Sequence, residues 1–502
     1  MEVLNGIILG LGHALTPTAL FVCFIGAVLG TLIGVLPGIG PLATIAMLLP
    51  ITTTMAPLNG LIMLAGIYYG AQYGGSTTAI LVNVPGEPSS AVTAIDGYQM
   101  ARQGRAGAAL AIAAIGSFFA GCFATFVLAI FSPTLARLAV AFGAPEYFAL
   151  AAFGLVLTVA LSHGSVLKGM AMALVGVLFG LVGSDVFTNA TRFTFDLNSL
   201  RSGIDFVGIS IGIFGVAEIL TNLEDEDDSQ TSTAKITSLM PTRQDMKESA
   251  GPILRGSMIG SVLGVLPGGG AFLSSFASYT LEKRISKHPE QFGKGAIAGV
   301  AGPESANNAG AQTAFIPMLT LGIPSNAIMA LMIGGMTIQG IIPGPQVISR
   351  QPDLFWGLIA SMWVGNAMLI ILNLPLVGLW VKLLNIPYSV LFPSILIFGC
   401  VGTFSANGDV TDLFVLAAAG LIGYVLTRLG AEPAPLLLGF VLGRLLEDQF
   451  RLAMMLSDGN AAVFFKRPIS GTLMVMALLV LISMALPPLL RARNKTFAGA
   501  DD

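Results

Sequence analysis

GAVLGTLIGVLPGIG, running from Gly26 to Gly40, returns almost unchanged as GSMIGSVLGVLPGGG from Gly256 to Gly270, 230 positions later. A second pair follows in the same order, at an offset of 236. GGSTTAILVNVPGEPSSAV, from Gly74 to Val92, matches GAQTAFIPMLTLGIPSNAI, from Gly310 to Ile328. Two matched pairs in the same order at nearly equal offsets indicate an internal duplication.

Composition places the chain in a membrane. Of its 502 residues, 54% are apolar and 10% are charged, whereas a soluble domain has about 25% charged residues. Apolar runs such as Ala106 to Phe131 lack the alternation of a barrel strand. We therefore expect an all-α polytopic membrane protein with two inverted-topology repeats, about 10–12 spanning helices and additional re-entrant hairpins. The net charge of −3 gives no basic field for nucleic acid.

A polar stretch from Asn222 to Ser249, with five consecutive acidic residues from Glu224, divides the chain. The predicted organisation is a first repeat half (1–221), an acidic linker (222–250), a second repeat half (251–428), and C-terminal helices with a cytoplasmic tail (429–502). The candidate spans are 17–36, 58–82, 106–131, 146–162, 165–184, 204–221, 252–266, 309–322, 325–342, 354–380, 388–404, 412–427, 433–446 and 469–489.

The charges suggest that the two halves face opposite ways. Basic residues follow the second LPG motif at Lys283–Lys294, whereas the counterpart at Ile51–Pro57 has none. Arg102 and Arg105 follow the first Gly-x-Pro motif, whereas Gln339–Ile348 has no basic residue. Because cytoplasmic loops carry the excess of Lys and Arg, the basic segments are predicted to be cytoplasmic and their counterparts to lie on the far side.

The LPG motifs predict interrupted helices, because proline removes a backbone donor and glycine permits unwound geometry. Matched interruptions in inverted repeats are typical of binding sites in secondary transporters. Freed carbonyl groups can bind a cation there, so we expect ion-coupling groups, including a Na⁺ site, at these breaks. In contrast, the glycines spaced four apart before each LPG motif favour close helix contact. The predicted ion-coupling residues are Pro37, Gly38, Gly40, Pro267, Gly268, Gly270, Gly86, Gly322 and Ser76.

The Gly-x-Pro pair has more polar side chains around it. Hydroxyl and amide groups beside such a break can bind an alkali cation and donate hydrogen bonds to a carboxylate. Hairpins turning at the two breaks would bring their tips together in the membrane. The competing structural interpretation is helix capping, expected for one residue of each pair at the tips. Glu87 and Glu304 are functional candidates because acidic residues inside a membrane are costly.

The quoted strings, with ESANNAGAQTAFIPMLTLGIPSNAIM from Glu304 to Met329, strongly resemble the large membrane subunit of tripartite tricarboxylate transporters, the TctA family. The resemblance covers nearly the whole chain. It implies an ion-driven importer of citrate-like carboxylates in a bacterial inner membrane. It also implies a small four-span membrane subunit and a periplasmic substrate-binding protein as partners. By analogy with other carboxylate carriers, the predicted substrate-binding residues are Ser89, Ser90, Asn307, Asn308, Ser325, Asn326, Thr77 and Thr313.

Other functions were weighed against this one. A carboxylate-selective channel would need continuous polar helix faces, and runs such as Val475 to Met484 do not provide one. An anion carrier working alone would share the same breaks. An intramembrane protease needs a Ser/His or paired Asp arrangement, which the spacing of His163 and Ser165 does not give. We therefore expect no enzyme activity and no cofactor, with Na⁺ or H⁺ as the coupling ion. The sequence leaves open whether the chain forms a homodimer.

Overall fold

A computed structural model describes residues 2–36, 40–139, 141–161, 165–224, 239–266, 270–383, 393, 396–397, 399–404 and 408–485. The chain is an all-α polytopic membrane protein, and 81% of the residues that the structure describes are in helices. Within the described ranges, four helices are long and apolar enough to cross a bilayer: Pro17–Val35, Pro88–Arg137, Pro352–Asn373 and Val410–Arg428. Shorter apolar helices accompany them.

The main helices are numbered here in chain order. They are α1 Glu2–Ala14, α2 Pro17–Val35, α3 Pro41–Thr53, α4 Pro57–Val82, α5 Ala91–Met100, α6 Ala106–Ala139, α7 Ala144–Leu161, α8 Val166–Gly180, α9 Phe206–Ser210, α10 Ala217–Glu224, α11 Arg243–Leu263, α12 Gly270–Ile285, α13 Ala298–Thr313, α14 Phe315–Leu321, α15 Ala327–Ile338, α16 Gln346–Arg350, α17 Pro352–Asn373, α18 Val377–Leu383, α19 Val410–Arg428, α20 Ala434–Leu456, α21 Val463–Lys466 and α22 Pro468–Ala485.

Short elements lie between these helices. Over the described ranges, 3-10 helices lie at Pro88–Ser90, Asn198–Leu200 and Pro289–Gln291, and π-helical segments lie at Ala101–Arg105 and Ile211–Val216. Strands β1 (Gly183–Ser184) and β2 (Thr191–Arg192) form an antiparallel pair in which Gly183 lies opposite Arg192.

The chain forms two compact units. Among the described residues, unit 1 comprises those within 2–137, 205–266 and 270–424, and unit 2 comprises those within 138–204 and 425–485. In unit 2, α8 packs closely on α20, where a Cβ at Gly176 would overlap the carbonyl oxygen of Leu436. Unit 2 also contains ion pairs that join Arg192 and Arg451 to Asp185 and Glu447. The candidate site described below lies within unit 1.

Glycines bring two helix pairs of unit 1 into backbone contact. On α2, Cβ atoms at Gly26, Gly30 and Gly34 would lie 2.5 Å or less from carbonyl oxygens of α4. On α11, Cβ atoms at Gly256, Gly260 and Gly264 would lie equally close to carbonyl oxygens of α13. The close-contact interpretation of these six glycines is confirmed. The α2–α4 and α11–α13 pairs therefore use the same packing device at matched positions of the repeat.

Several helices begin where the sequence supplies a proline. α2, α3, α4 and α17 all have proline at their first residue, where the missing N–H has no helical partner to lose. Thr16 also caps α2, because its side chain accepts a hydrogen bond from the amide of Ala19.

The structure describes the two ends of the predicted acidic linker, and both are helical. Helix α10 runs to Glu224, and α11 begins at Arg243, six residues before Ser249. A capping box between Thr242 and Asp245 fixes that start. Residues 225–238 lie outside the described residues, so the solvated linker itself stays a prediction.

Candidate functional site

Helix α4 carries a buried polar stripe. Tyr68, Gln72 and Ser76 are 2%, 1% and 3% exposed and lie four residues apart, so they share one face of the helix. Helix α4 ends at Val82, and Asn83 adopts the left-handed conformation with φ 59°. The chain then leaves the helix axis in residues 83–90, which we call the first break loop.

The first break loop folds back onto α4. The Gly86 amide donates to the Gly75 carbonyl at 3.4 Å, and a Cβ at Gly86 would overlap the Gly34 carbonyl oxygen. The Ser89 hydroxyl donates to Gln72 Oε1 at 3.0 Å and to Glu87 Oε2 at 3.4 Å. Glu87 Oε1 is buried with no hydrogen-bond partner. Ser89 and Glu87 therefore lie against the polar stripe of α4.

Ser90 and Asn326 have capping roles. The Ser90 hydroxyl donates to the Glu87 carbonyl at 2.8 Å and accepts from the Glu87 amide at 3.4 Å. Asn326 Oδ1 accepts from the Met329 amide at 2.9 Å and so caps α15. Of each neighbouring pair, one residue is a cap and the other, Ser89 or Ser325, is not, as the capping interpretation predicted.

The matching break at residues 322–326, the second break loop, reaches the same stripe. Gly322 ends α14 in the left-handed conformation with φ 70°. The Ser325 hydroxyl donates to the Ala314 carbonyl at 3.2 Å, which folds this loop back onto the preceding helix. Asn326 Nδ2 then donates to the Tyr68 hydroxyl at 3.2 Å. Tyr68 and Gln72 are about one helical turn apart, so both break loops meet one short stretch of α4.

A second polar cluster lies around Glu304 on α13, which is fully buried. Thr93 donates to Glu304 Oε2 at 3.0 Å, and Ser117 donates to Oε1 at 3.0 Å. Asn308 Nδ2 lies 2.9 Å from Oε1 and 2.8 Å from the Ser117 hydroxyl. The cluster joins α5, α6 and α13. It borders a small cavity that also faces Ser76 and Thr77 of α4.

Glu87 and Glu304 differ from other buried acids in their partners. Buried Glu282 pairs with Arg255 at 2.7 Å, and Asp245 pairs with Arg105 at 2.6 Å. Among the described residues, by contrast, no lysine or arginine forms an ion pair or hydrogen bond with Glu87 or Glu304. A buried, ionised carboxylate is costly unless a cation or hydrogen bonds compensate it. The part of the chain that the structure describes also contains no group of three or more His, Cys, Asp or Glu side chains that could hold a metal ion.

Two further amides on α13 are unsatisfied. Both side-chain atoms of Asn307 and both of Gln312 are buried with no hydrogen-bond partner. Buried polar groups in native proteins are rarely left unpaired. These amides are therefore available to a ligand or to a second conformation. Asn307 is one of the predicted substrate-binding residues.

The other predicted residues have mixed positions. Thr313 donates to the carbonyls of Gly260 and Ala309, so it supports helix contact. Gly40 is the N-cap of α3, and Gly270 is the first residue of α12, where a Cβ would lie 2.8 Å from the Gly264 carbonyl oxygen. Four predicted ion-coupling residues lie outside the described residues: Pro37, Gly38, Pro267 and Gly268.

Several residues of the site were not predicted. Tyr68 and Gln72 had a usable signal, because their spacing of four continues to Ser76 in a helix without charged residues. Thr93, Ser117 and Asn373 gave no local signal, since each is one polar residue within an apolar run. Their proximity to Glu304 or to its cavity depends on contacts between distant helices.

Comparison with known proteins gives consistent matches. The family model described as "Tripartite tricarboxylate transporter TctA family" matches residues 20–438. The chain is 58% identical over 501 residues, covering 100% of both chains, to an uncharacterised 52.8 kDa protein in the TAR-I ttuC' 3'region of Agrobacterium vitis. It is also 58% identical over 242 residues to an uncharacterised protein in the TAR-II ttuC' 3'region of that organism, covering 48% of this chain and 100% of the relative. No solved structure matches.

Proposed function

The chain belongs to the tripartite tricarboxylate transporter TctA family, and from this we propose that it imports citrate-like di- or tricarboxylates by coupling their movement to Na⁺ or H⁺. The family is one of transporter subunits, not of enzymes. Its members work in tripartite transporters with a binding protein and a small membrane subunit. For this chain we propose a location in the bacterial inner membrane, a small four-span subunit and a periplasmic protein that delivers the carboxylate.

The charge of the site is the observation that carries ion coupling. Glu87 lies in the first break loop and Glu304 lies beside Ser76 and Thr77 of α4, and neither is paired with lysine or arginine among the described residues. A carboxylate substrate would add two or three negative charges to this low-dielectric region. Like charges brought together there repel strongly. Cations or protons must therefore enter with the substrate, and this requirement is the physical basis of symport in our proposal.

The substrate is proposed to bind between the break loops. Ser89 and Asn326 reach Gln72 and Tyr68 of α4 from two different loops, and Asn307 has a buried amide without a partner. Hydroxyl and amide donors of this kind can hydrogen-bond a carboxylate. Because each loop is held by only a few polar contacts, a substrate that bridges them would change how the loops are held relative to α4.

Transport in reconstituted vesicles tests the proposal. Proteoliposomes that contain this chain with its small membrane subunit, supplied with the binding protein, are expected to accumulate radiolabelled citrate or a related acid only under an inward Na⁺ or H⁺ gradient. The gradient supplies the free energy for accumulation. Equilibration of the acid without a gradient would indicate a channel, and ATP-dependent accumulation would contradict ion coupling.

Substitutions in the break loops refine this test. Ser89→Ala removes the donor to Gln72, so coupled uptake is expected to fall about tenfold, which corresponds to roughly 1.4 kcal/mol. Asn326→Asp retains the oxygen that caps α15 but removes the donor to Tyr68, so uptake is expected to fall with little loss of stability. Ser257→Ala is the matched control, because Ser257 donates to the carbonyl of Ile253 on its own helix. Undiminished uptake in both loop variants would place the substrate elsewhere.

A further inference from the structure

The cavity beside Glu304 is built from four helices. Tyr73, Ser76 and Thr77 come from α4, Ser117 from α6, Glu304 from α13 and Asn373 from α17; Leu110, Ala113 and Ala114 complete its wall. Its volume of about 10 Å³ suits one water-sized species. The cavity is far too small for a tricarboxylate, so it is distinct from the proposed substrate position.

Asn373 lines this cavity and has a side-chain oxygen without a hydrogen-bond partner. Its side chain is 5% exposed, and Oδ1 is buried with no hydrogen-bond partner. The orientation of the amide is fixed, because Nδ2 donates to the Leu369 carbonyl at 3.0 Å and to the Thr31 hydroxyl at 3.3 Å. A carbonyl oxygen accepts hydrogen bonds only, so exchanging Oδ1 and Nδ2 would place two acceptors together. The orphan oxygen therefore needs a donor or a cation from the cavity.

Glu304 also lines this cavity and can supply a negative charge to a bound cation. Both of its carboxylate oxygens accept hydrogen bonds, from Thr93 on one side and from Ser117 and Asn308 on the other. These donors are neutral, so they do not neutralise the negative charge that Glu304 carries when it is ionised. One carboxylate charge, one orphan carbonyl oxygen and adjacent hydroxyl groups are the hard oxygen ligands that suit a hard cation. A single negative charge matches a monovalent ion.

We propose that this cavity binds one sodium ion, with Glu304 and Asn373 as its protein ligands and the hydroxyls of Ser76 and Thr77 beside it. The inference rests on the proposed function and names the site of its coupling ion. Of the ion-coupling residues predicted from the sequence, Ser76 lines this cavity, whereas the residues of the LPG motifs are not among its lining. A water molecule could bridge the same oxygens, but it would leave the Glu304 charge uncompensated.

The position of the site links the ion to the break loops. The Ser76 hydroxyl donates to the Gln72 carbonyl at 3.2 Å, and Gln72 Oε1 accepts from Ser89 of the first break loop. An ion bound to the Ser76 oxygen would therefore lie about one helical turn from Gln72, which accepts the hydrogen bond from Ser89 of the first break loop. Sodium binding would thus pre-order the region where the carboxylate is proposed to bind.

Sodium binding to the purified full-length chain, without partner subunits or substrate, tests this site. Binding of radioactive sodium and the rise in Tm with NaCl are measured against choline chloride at constant ionic strength. The wild-type chain is expected to show saturable binding and a sodium-specific rise in Tm. Glu304→Gln, which removes the charge, and Asn373→Leu, which removes the oxygen at similar volume, are each expected to weaken binding at least about tenfold, or roughly 1.4 kcal/mol.

Glu282→Gln is the matched control, because Glu282 is also buried in unit 1 but is paired with Arg255. It is expected to lower Tm while keeping the sodium-dependent rise. If Glu304→Gln fails to fold, Asn373→Leu alone decides the matter. Absence of sodium binding in the wild type, or unchanged binding in a folded Asn373→Leu chain, overturns the site. If the site is overturned but uptake is driven by a proton gradient, the proposed transport function still stands. If the chain binds sodium but shows no gradient-driven uptake, the transport function is overturned and the sodium site still stands.

Discussion

Asp96 and Glu304 are both fully buried, yet their side chains have different kinds of partner. Asp96 Oδ1 accepts from the amides of Gly293, Gly295 and Ala296 at 2.8–2.9 Å, and Oδ2 accepts from the Tyr279 hydroxyl at 3.0 Å. Three backbone amides and one hydroxyl thus give both oxygens of Asp96 hydrogen-bond partners, as expected for a structural carboxylate. Glu304 instead borders a cavity and a second unsatisfied oxygen. Burial alone does not distinguish a structural carboxylate from a functional one, but the partners do.

Because Asp96 holds residues 293–296 through hydrogen bonds, substitutions at Asp96 and Tyr279 are expected to lower Tm by different amounts. Asp96→Ala leaves three buried amides without an acceptor, and hydrogen bonds to a charged group contribute about 1.5–3 kcal/mol each. We expect the largest fall in Tm for Asp96→Ala, a smaller fall for Asp96→Asn, and the smallest for Tyr279→Phe, which loses one hydrogen bond. Thermal unfolding in detergent measures the order.

Hydrogen exchange supplies the accompanying readout. The amides of Gly293, Gly295 and Ala296 are expected to lose protection in Asp96→Ala and to keep it in Tyr279→Phe. Equal Tm values for these two variants, or unchanged protection of the three amides, would show that Asp96 does not hold this loop.

At the scale of elements, the repeated helix pair is the basic unit of unit 1. Helix α2 contacts α4, and α11 contacts α13, through glycines at matched positions. In the first pair the break loop folds back on α4, through Gly86 and Gly75, and in the second it folds back on Ala314, the residue that joins α13 to α14. The polar site forms because these second helices, α4 and α13, also carry the buried polar side chains.

Close helix contact predicts opposite effects for the same substitution at different glycines. In Gly30→Ala and Gly260→Ala, the new methyl group would overlap the carbonyl oxygens of Ile67 and Ala306. Separating the helices to make room costs about 1–3 kcal/mol, so Tm is expected to fall. Gly12→Ala on α1 is the control, because no atom lies within 4 Å of the new methyl group. Its Tm should stay the same or rise, since alanine favours helices by up to about 1 kcal/mol.

Tm and the monodisperse yield in detergent are the measurements. Equal behaviour of all three variants would contradict the packing role of Gly30 and Gly260.

Helix boundaries were predictable where local chemistry sets them. The predicted span 58–82 matches α4, Pro57–Val82, because proline begins the helix and Asn83 ends it. The span predicted at 309–322 missed most of α13, which begins at Ala298. Its polar residues Glu304 and Asn308 looked unlike membrane sequence, but they are buried against polar groups of other helices. Hydropathy cannot detect side chains that satisfy one another inside a protein.

The same limit applies to the site. Ser89 and Asn326 were predictable because they flank a Gly-x-Pro break that recurs in both halves. Asn373 was not, because its meaning depends on Thr31, which is 342 positions away in the chain. Residues such as Thr93 and Ser117 become part of a site only when separate helices bring them to one carboxylate.

At the scale of the whole chain, two hydrogen bonds within unit 1 join segments that were predicted to lie on the same side of the membrane. One joins the two segments with basic residues, and the other joins the two segments without them. Gln103 Nε2, between Arg102 and Arg105, donates to the Lys294 carbonyl at 2.7 Å, so the two basic segments lie together. Gln339 Nε2 donates to the Thr52 carbonyl at 2.8 Å, so the two segments without basic residues also lie together. The end of α3 thus meets the end of α15, and the loop after α12 meets the end of α5. Inverted repeats would produce this pairing.

Inversion predicts the sidedness of four positions. In a chain whose native Cys23, Cys122 and Cys400 are replaced, single cysteines at Thr53 and Ser286 are expected to react with a membrane-impermeant thiol reagent from opposite sides. A cysteine at Gln339 should behave like that at Thr53, and one at Gln103 like that at Ser286, because their segments are in contact. The basic segments should be cytoplasmic, since Lys and Arg are retained on that side during insertion. Labelling of Thr53→Cys and Ser286→Cys from the same side would contradict the inversion. The matched helix pairs would then belong to a parallel duplication, in which both halves have the same orientation in the membrane.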